Sequence, residues 1–215
     1  MKNVYIVGED PVTQEILKRL VSVYAPQLRI LGELPARGSE LKSKISAFNK
    51  LSETYPIVLL SDMDTDDCAP LAKRNLLHSL ESQHPDFVVN IAVDEAEAWL
   101  LADREGFSRY FDIPLSDMPD SALQKFGGMR RREEMKLPLK SSYFLTHFLI
   151  KHSGNEVLRK QIMAEGSSCK GPEYNSALCP FIRSYWNPDN ARMHSYSLQG
   201  TIQRLKQISI SEPSS

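Results

Sequence analysis

The residues most able to do chemistry sit where an apolar run stops. Ile57-Val58-Leu59-Leu60 gives way to Ser61-Asp62-Met63-Asp64-Thr65-Asp66-Asp67, four acids within six positions. Acids this close repel one another unless water or a cation compensates them. Asp62 and Asp64 are two apart, so on an extended chain they face the same side. Such a pair at the end of a buried strand suits a hard cation, Mg²⁺ or in its place Mn²⁺. The same residues also suit an ordinary acidic turn, because aspartate favours turns.

The elements that present these acids decide between the two. Val4-Tyr5-Ile6-Val7, closed by Gly8, reads as a buried strand with Glu9 at its end. Asp10-Pro11 starts a helix whose stripe is Val12, Ile16, Leu17, Leu20 and Val21. Leu28 to Leu31 is a second strand, and Arg29 within it suggests an edge. Ser39 to Leu51 is an amphipathic helix, with Leu41, Ile45 and Phe48 on one face. The strand Ile57 to Leu60 follows, then a helix after Pro70 carrying Leu76, Leu77 and Leu80. Phe87 to Val93 is a fourth strand, running into a helix from Asp94 to Ala102. This βαβαβαβα order implies an α/β fold, a parallel sheet of about four strands with helices on both faces. Parallel order puts Glu9, Asp62, Asp64 and the start of the Asp94 helix on one edge. If the first and third strands are neighbours, Glu9 meets Asp62 and Asp64 where strand order reverses, the usual place for a ligand.

Asp94-Glu95-Ala96-Glu97 has the spacing of a capping box, with Asp in place of Ser or Thr. Glu97 is therefore either a helix-start residue or support for a metal site. Beyond Asp103 the pattern changes. Residues 107–120 read as an irregular connector, Gly127-Gly128 as a flexible point, and residues 105–215 as a mainly helical extension packed on a 1–104 core. Helices are expected over Lys140 to Lys151, Glu156 to Ala164, Ala177 to Trp186 around Pro180, and after a capping Ser197. Arg130-Arg131-Arg132, followed by Glu133-Glu134, reads as a helical surface face with local ion pairs, or as a contact to a phosphate backbone. Lys136, Lys140 and Lys170 are further phosphate candidates. Tyr143, Tyr174 and Trp186 either stack on bases or pack in the core.

Composition narrows the class. The 215 residues carry a net charge of −1, which offers no global attraction to nucleic acid; any such footprint must be local. No apolar run approaches the ~20 residues a membrane span needs. The N-terminus enters a strand with no signal-peptide run. Three cysteines without a CxxC argue against a disulfide framework, and the five histidines lack zinc-ligand spacing. A cytoplasmic protein is expected.

Strand-Glu9, helix, strand, helix, strand-Asp62-x-Asp64, helix, strand resembles the Toprim domain of topoisomerases, primases and OLD-type nucleases. The stretch Glu97-Ala98-Trp99-Leu100-Leu101-Ala102-Asp103 looks like that of small stand-alone Toprim-like proteins associated with ATPases in bacterial anti-phage defence. The resemblance covers residues 1 to 104 well. It implies a Mg²⁺-dependent nuclease acting on DNA or RNA, with Glu9, Asp62 and Asp64 at the metal and Glu97 beside them. It also implies an ATPase partner, with Lys170 and Tyr174 in the places of a Lys and a Tyr that family members carry. Homo-oligomerisation stays open. There is one departure. Relatives often read V-E-G-x-T-E, whereas this chain has Gly8-Glu9-Asp10-Pro11-Val12-Thr13, with Thr13 at the second acid's place. Two other readings stand beside the nuclease. One is a non-catalytic sensor or assembly subunit. The other is a receiver-like module with Asp62 as phosphoacceptor, although no fifth strand is apparent.

Overall fold

The structure, a computed structural model, describes residues 2–36, 40–64, 66–125 and 131–210, with side chains described as far as 208. Its first half alternates: β1 (Lys2–Gly8), α1 (Pro11–Tyr24), β2 (Leu28–Glu33), α2 (Glu40–Leu51), β3 (Ile57–Asp62), α3 (Ala69–Leu76), β4 (Phe87–Ala92) and α4 (Ala96–Leu101). The four strands form one parallel sheet in the order β2-β1-β3-β4. β1 and β3 are neighbours, with Gly8 level with Leu60, so strand order reverses beside Glu9 and Asp62. β2, which carries Arg29, lies at an edge.

Alternation along each strand feeds two cores. Ile57 and Leu59, with Phe87, Val89 and Ile91, meet α2 and α3 through Ile45, Phe48 and Leu76. Val58 and Leu60, with Val4 and Ile6, meet Ile16, Leu17 and Leu20 of α1. The second cluster continues without a break into the C-terminal helices, taking in Trp99, Phe107, Phe181, Leu198 and Leu205.

Beyond α4 come α5 (Arg104–Phe111), the strands β5 (Ser121–Lys125) and β6 (Arg131–Met135), α6 (Ser141–His147), α7 (Glu156–Ile162), α8 (Tyr174–Ser184), α9 (Pro188–Ala191) and α10 (Tyr196–Ile210). Three expectations are corrected. Residues 107–111 are helical, not an irregular connector: Asp103 accepts from Gly106 N–H at the helix start, and Phe107 and Phe111 are fully buried. Arg131 and Arg132 lie on an antiparallel strand rather than a helix, Arg131 opposite Lys125. Gly127, Gly128 and Arg130 lie outside the described residues. The cap of α10 is Ser195, whose Oγ accepts from Leu198 N–H at 3.3 Å. The Ser197 hydroxyl instead donates to Glu134 at 2.9 Å and accepts from Trp99 Nε1 at 2.8 Å, tying α10 to β6 and α4.

Candidate functional site

Glu9 follows β1 at a point that only glycine permits. A Cβ on Gly8 would lie 2.7 Å from Thr13 Oγ1 and 2.8 Å from Gln14 N, so the first turn of α1 sits directly on the strand end. Asp10 caps that turn. Its carboxylate accepts from Thr13 N–H at 2.9 Å, and Thr13 Oγ1 accepts from Asp10 N–H at 3.1 Å. This reciprocal capping box is what Thr13 does where a second acid was expected. Glu9 turns toward β3, and Ser61 Oγ donates to its Oε1 at 2.7 Å.

Asp62 ends β3 and reaches the neighbouring chain segment. Its Oδ1 accepts from Ala96 N–H at 2.8 Å, so an acid from another strand caps α4. The capping box expected from Asp94 to Glu97 does not form. Glu95 is the N-cap residue and makes no side-chain cap bond. Asp94 stands at φ +65° and accepts from Ser141 N–H at 2.7 Å, while Glu95 accepts from Ser142 N–H at 2.8 Å. These two acids hold the start of α6 against the site. Glu97 is buried and accepts from Tyr174 Oη at 2.7 Å and from Lys170 Nζ at 3.3 Å. Lys170 also reaches Asp10, at 3.1 Å.

Asp64 does not follow the extended-chain expectation. Its φ of +54° takes the chain out of the strand, a conformation aspartate tolerates better than most residues. Its exposed side chain still lines one cleft, about 450 Å³ in volume, with Glu9, Ser61, Asp62 and Asp66. Lys140 Nζ lies 2.9 Å from Asp64 Oδ1 and 3.7 Å from Glu95 Oε1.

Burial dominates the electrostatics. It raises the pKa of Asp62 well above the usual carboxylate range, and the charges of Glu97 and Glu9 add to the rise. Glu9 is raised for the same first reason, with Asp64 and Asp10 adding repulsion against the lowering by Ser61. Burial also raises Glu97, although Lys170 opposes it. Burial alone would lower Lys170, but Glu97 and Asp10 outweigh it and raise its pKa. Burial and the Glu97 charge push Tyr174 upward. Asp62 and Glu9 are thus short of positive charge, whereas Glu97 and Asp64 each have a lysine.

Among the expected site residues, the fold gathers Glu9, Asp62 and Asp64 at one cleft. It ties Glu97 and Lys170 into one hydrogen-bonded cluster beside it and sets Lys140 on Asp64. Arg131 is exposed on the hairpin and makes no hydrogen bond or ion pair with these residues; Arg130 lies outside the described residues. Tyr174 and Trp186 are buried at 3% and 0% exposure and cannot stack on a base, whereas Tyr143 is 42% exposed. Ser61 and Glu95 are site residues that sequence reasoning missed. Ser61 had a signal, since it is the first polar residue after the apolar run.

No protein-family model matches the chain, and no curated protein and no solved structure matches it. The site's own chemistry therefore bears the weight. Among the described residues, no three carboxylates close on one point tightly enough to form a ready-made cage. Mg²⁺ does not need one, because it keeps several waters and takes one or two carboxylates. An all-oxygen set of Glu9, Asp62 and Asp64, two of them held above their ordinary pKa by burial and repulsion, fits that mode of binding. No helix among the described residues is long and apolar enough to cross a membrane.

Proposed function

We propose that this protein is a Mg²⁺-dependent phosphodiesterase acting on DNA or RNA, a cytoplasmic Toprim-like nuclease working beside an ATPase partner. One observation carries the catalytic part: Glu9 and Asp62 face one cleft at the strand-order reversal, with too little positive charge to ionise easily. A divalent cation supplies that charge. Glu9, Asp62 and Asp64 would hold it, and once bound it would neutralise phosphoryl oxygens and acidify a water. The chain's own groups do the rest. Glu9 would either share the cation or, standing beside it, accept a proton from the attacking water. Lys170, fixed between Glu97 and Asp10, keeps a positive charge at the cleft's side. Lys140, partly exposed, is placed to meet a phosphate oxygen. The ATPase and the anti-phage setting rest on the resemblance of the Glu97 to Asp103 stretch alone.

The test is cleavage of labelled single- and double-stranded DNA and RNA in Mg²⁺ or Mn²⁺ by wild type, Asp62→Asn and Glu9→Gln. Both variants should lose activity; if both cut as well as wild type, the reading fails. A second reading, a non-catalytic sensor or assembly subunit, is favoured by two observations. Lys140 already neutralises Asp64, and Thr13 serves the helix cap where an acid was expected. A melting temperature that Mn²⁺ leaves unchanged would decide for it. The receiver-like reading has less support, because Asp62 Oδ1 is engaged by Ala96 N–H.

A further inference from the structure

Among the described residues the sheet stops at β4, whose outer edge pairs with no other strand. Ile57 N–H donates to Asp86 O and Met63 N–H to Ala92 O, so in this register the even-numbered residues of β4 bond to β3. Phe87, Val89 and Ile91 then direct their N–H and C=O groups to the open side. The groups of Phe87 are satisfied: its N–H donates to His84 O, and its C=O accepts from Gln83 Nε2. Those of Val89 and Ile91 have no hydrogen-bond partner among the described residues. Four such groups along one strand edge form a ready template for an added strand.

The space beside that edge is a slot. Two adjoining cavities of about 280 and 430 Å³ share Lys73, Val89 and Arg204 and run along β4. α3 forms one wall, on the sheet face that buries Val89 and Ile91. α10 forms the other, and Tyr196 lies at one end. Each wall contributes one cation. The Lys73 ammonium makes no hydrogen bond or ion pair among the described residues, and Arg204 bonds only neutral groups, Asn90 Oδ1 at 2.7 Å and Thr201 Oγ1 at 3.4 Å. Burial lowers the pKa of both, and Arg204 lowers that of Lys73 further, the mark of positive charge without an anion. Asp86, at the far end, is paired with Lys2 at 3.6 Å.

We propose that the β4 edge is a docking slot for an extended acidic segment of a partner protein, which adds to the sheet as a fifth strand between α3 and α10. Strand addition uses the Val89 and Ile91 backbone groups for affinity and the walls for selectivity. Successive side chains of an added strand point to opposite faces, so two adjacent acids would meet Lys73 on one wall and Arg204 on the other. Six residues of β4 span about 20 Å, which sets the length of segment that fits. A second copy of this chain is a poor occupant, because edge-to-edge pairing would set Lys73 and Arg204 against their own counterparts. Ile91 lines both the slot and the acidic cleft, but none of the cleft's acids, Glu9, Asp62, Asp64 and Asp66, lines the slot.

The experiment uses the full chain and a fluorescein-labelled, acetylated probe, Val-Thr-Val-Glu-Glu-Val-Thr-Val, read by fluorescence anisotropy. Saturable binding is expected, weakened about tenfold or more when the two glutamates become lysines or when Lys73→Glu is introduced. Lys73 serves for the variant because its ammonium bonds nothing among the described residues. Arg204→Glu should act in the same direction. Amide exchange at Val89 and Ile91 should be fast in the free protein and slow with the probe bound. The proposal is overturned by any of four results: no saturable binding, binding that ignores both charge reversals, slow exchange at Val89 and Ile91 without the probe, or dimerisation through this edge.

Discussion

Replacing Glu134 with glutamine should abolish one component of the pH dependence of stability. Glu134 is 1% exposed on β6. Its Oε2 accepts from Ser197 N–H at 3.2 Å and Ser197 Oγ at 2.9 Å, and its Oε1 has no partner among the described residues. Burial lifts its pKa from the ordinary 4.5 to about 7 against the lowering by Ser195 and Ser197. Between those two values the folded protein holds a proton that the unfolded chain has released. Stability therefore falls as pH rises through that window and levels off above it. About 2.5 pH units at 1.36 kcal/mol each is a loss of about 3 kcal/mol. Near pH 5 wild type carries a neutral carboxyl, and Glu134→Gln should match it within about 1 kcal/mol. Near pH 8 the variant should be more stable by about 3 kcal/mol, a melting difference of roughly 6–12 °C for a chain of this size. Urea titrations at pH 5, 6, 7 and 8 and fixed ionic strength measure it. Asp62, Glu9 and Glu97 also titrate, but both proteins carry them, so the difference isolates Glu134. Tyr196, the ionisable neighbour on α10, is pushed up to about 12 and stays neutral throughout. A wild-type-minus-variant difference that does not change with pH refutes the reasoning.

Other substitutions probe the site's supports. Asp62→Asn removes a carboxyl that ionises only at a cost in the folded protein and should raise the melting temperature in chelator at neutral pH, while erasing any Mn²⁺-induced rise; scanning calorimetry with and without Mn²⁺ reads both. Thr13→Ala breaks the reciprocal cap of α1 and should cost about 1 kcal/mol in a denaturant titration, with little change if the cap is dispensable. Tyr174→Phe takes the hydroxyl from buried Glu97 and should destabilise by about 1–3 kcal/mol, more at pH 8 than at pH 5, since the bond favours the ionised carboxylate.

The first half of the fold was legible because its strands are buried on both faces. Such strands show as unbroken apolar runs at β1 and β3 and as a run broken only by Asn90 at β4, and Arg29 marked the exposed edge at β2. The strand-end acids were legible for the same reason, since polarity returns abruptly where burial ends. α5 also had a signal, Asp103 followed by Phe107 and Phe111 at helical spacing, masked by the prolines after it. The β5–β6 hairpin had none. Its strands are largely solvent-facing, their residues are mostly polar or charged, and only Glu134 and Met135 of β6 are buried.

By itself the sequence determined the alternating order of strands and helices, the edge strand and the placing of Glu9, Asp62 and Asp64 at strand ends. These follow from local burial and periodicity, which a linear pattern records. The tertiary structure decided the partners. It put β1 beside β3, capped α4 with Asp62 instead of Asp94, carried Lys140 to Asp64 and Lys170 to Glu97, and left the β4 edge open between two cations. Each of these joins residues far apart in the chain, where no spacing rule operates and only the packing of the helices on the sheet sets which charge meets which.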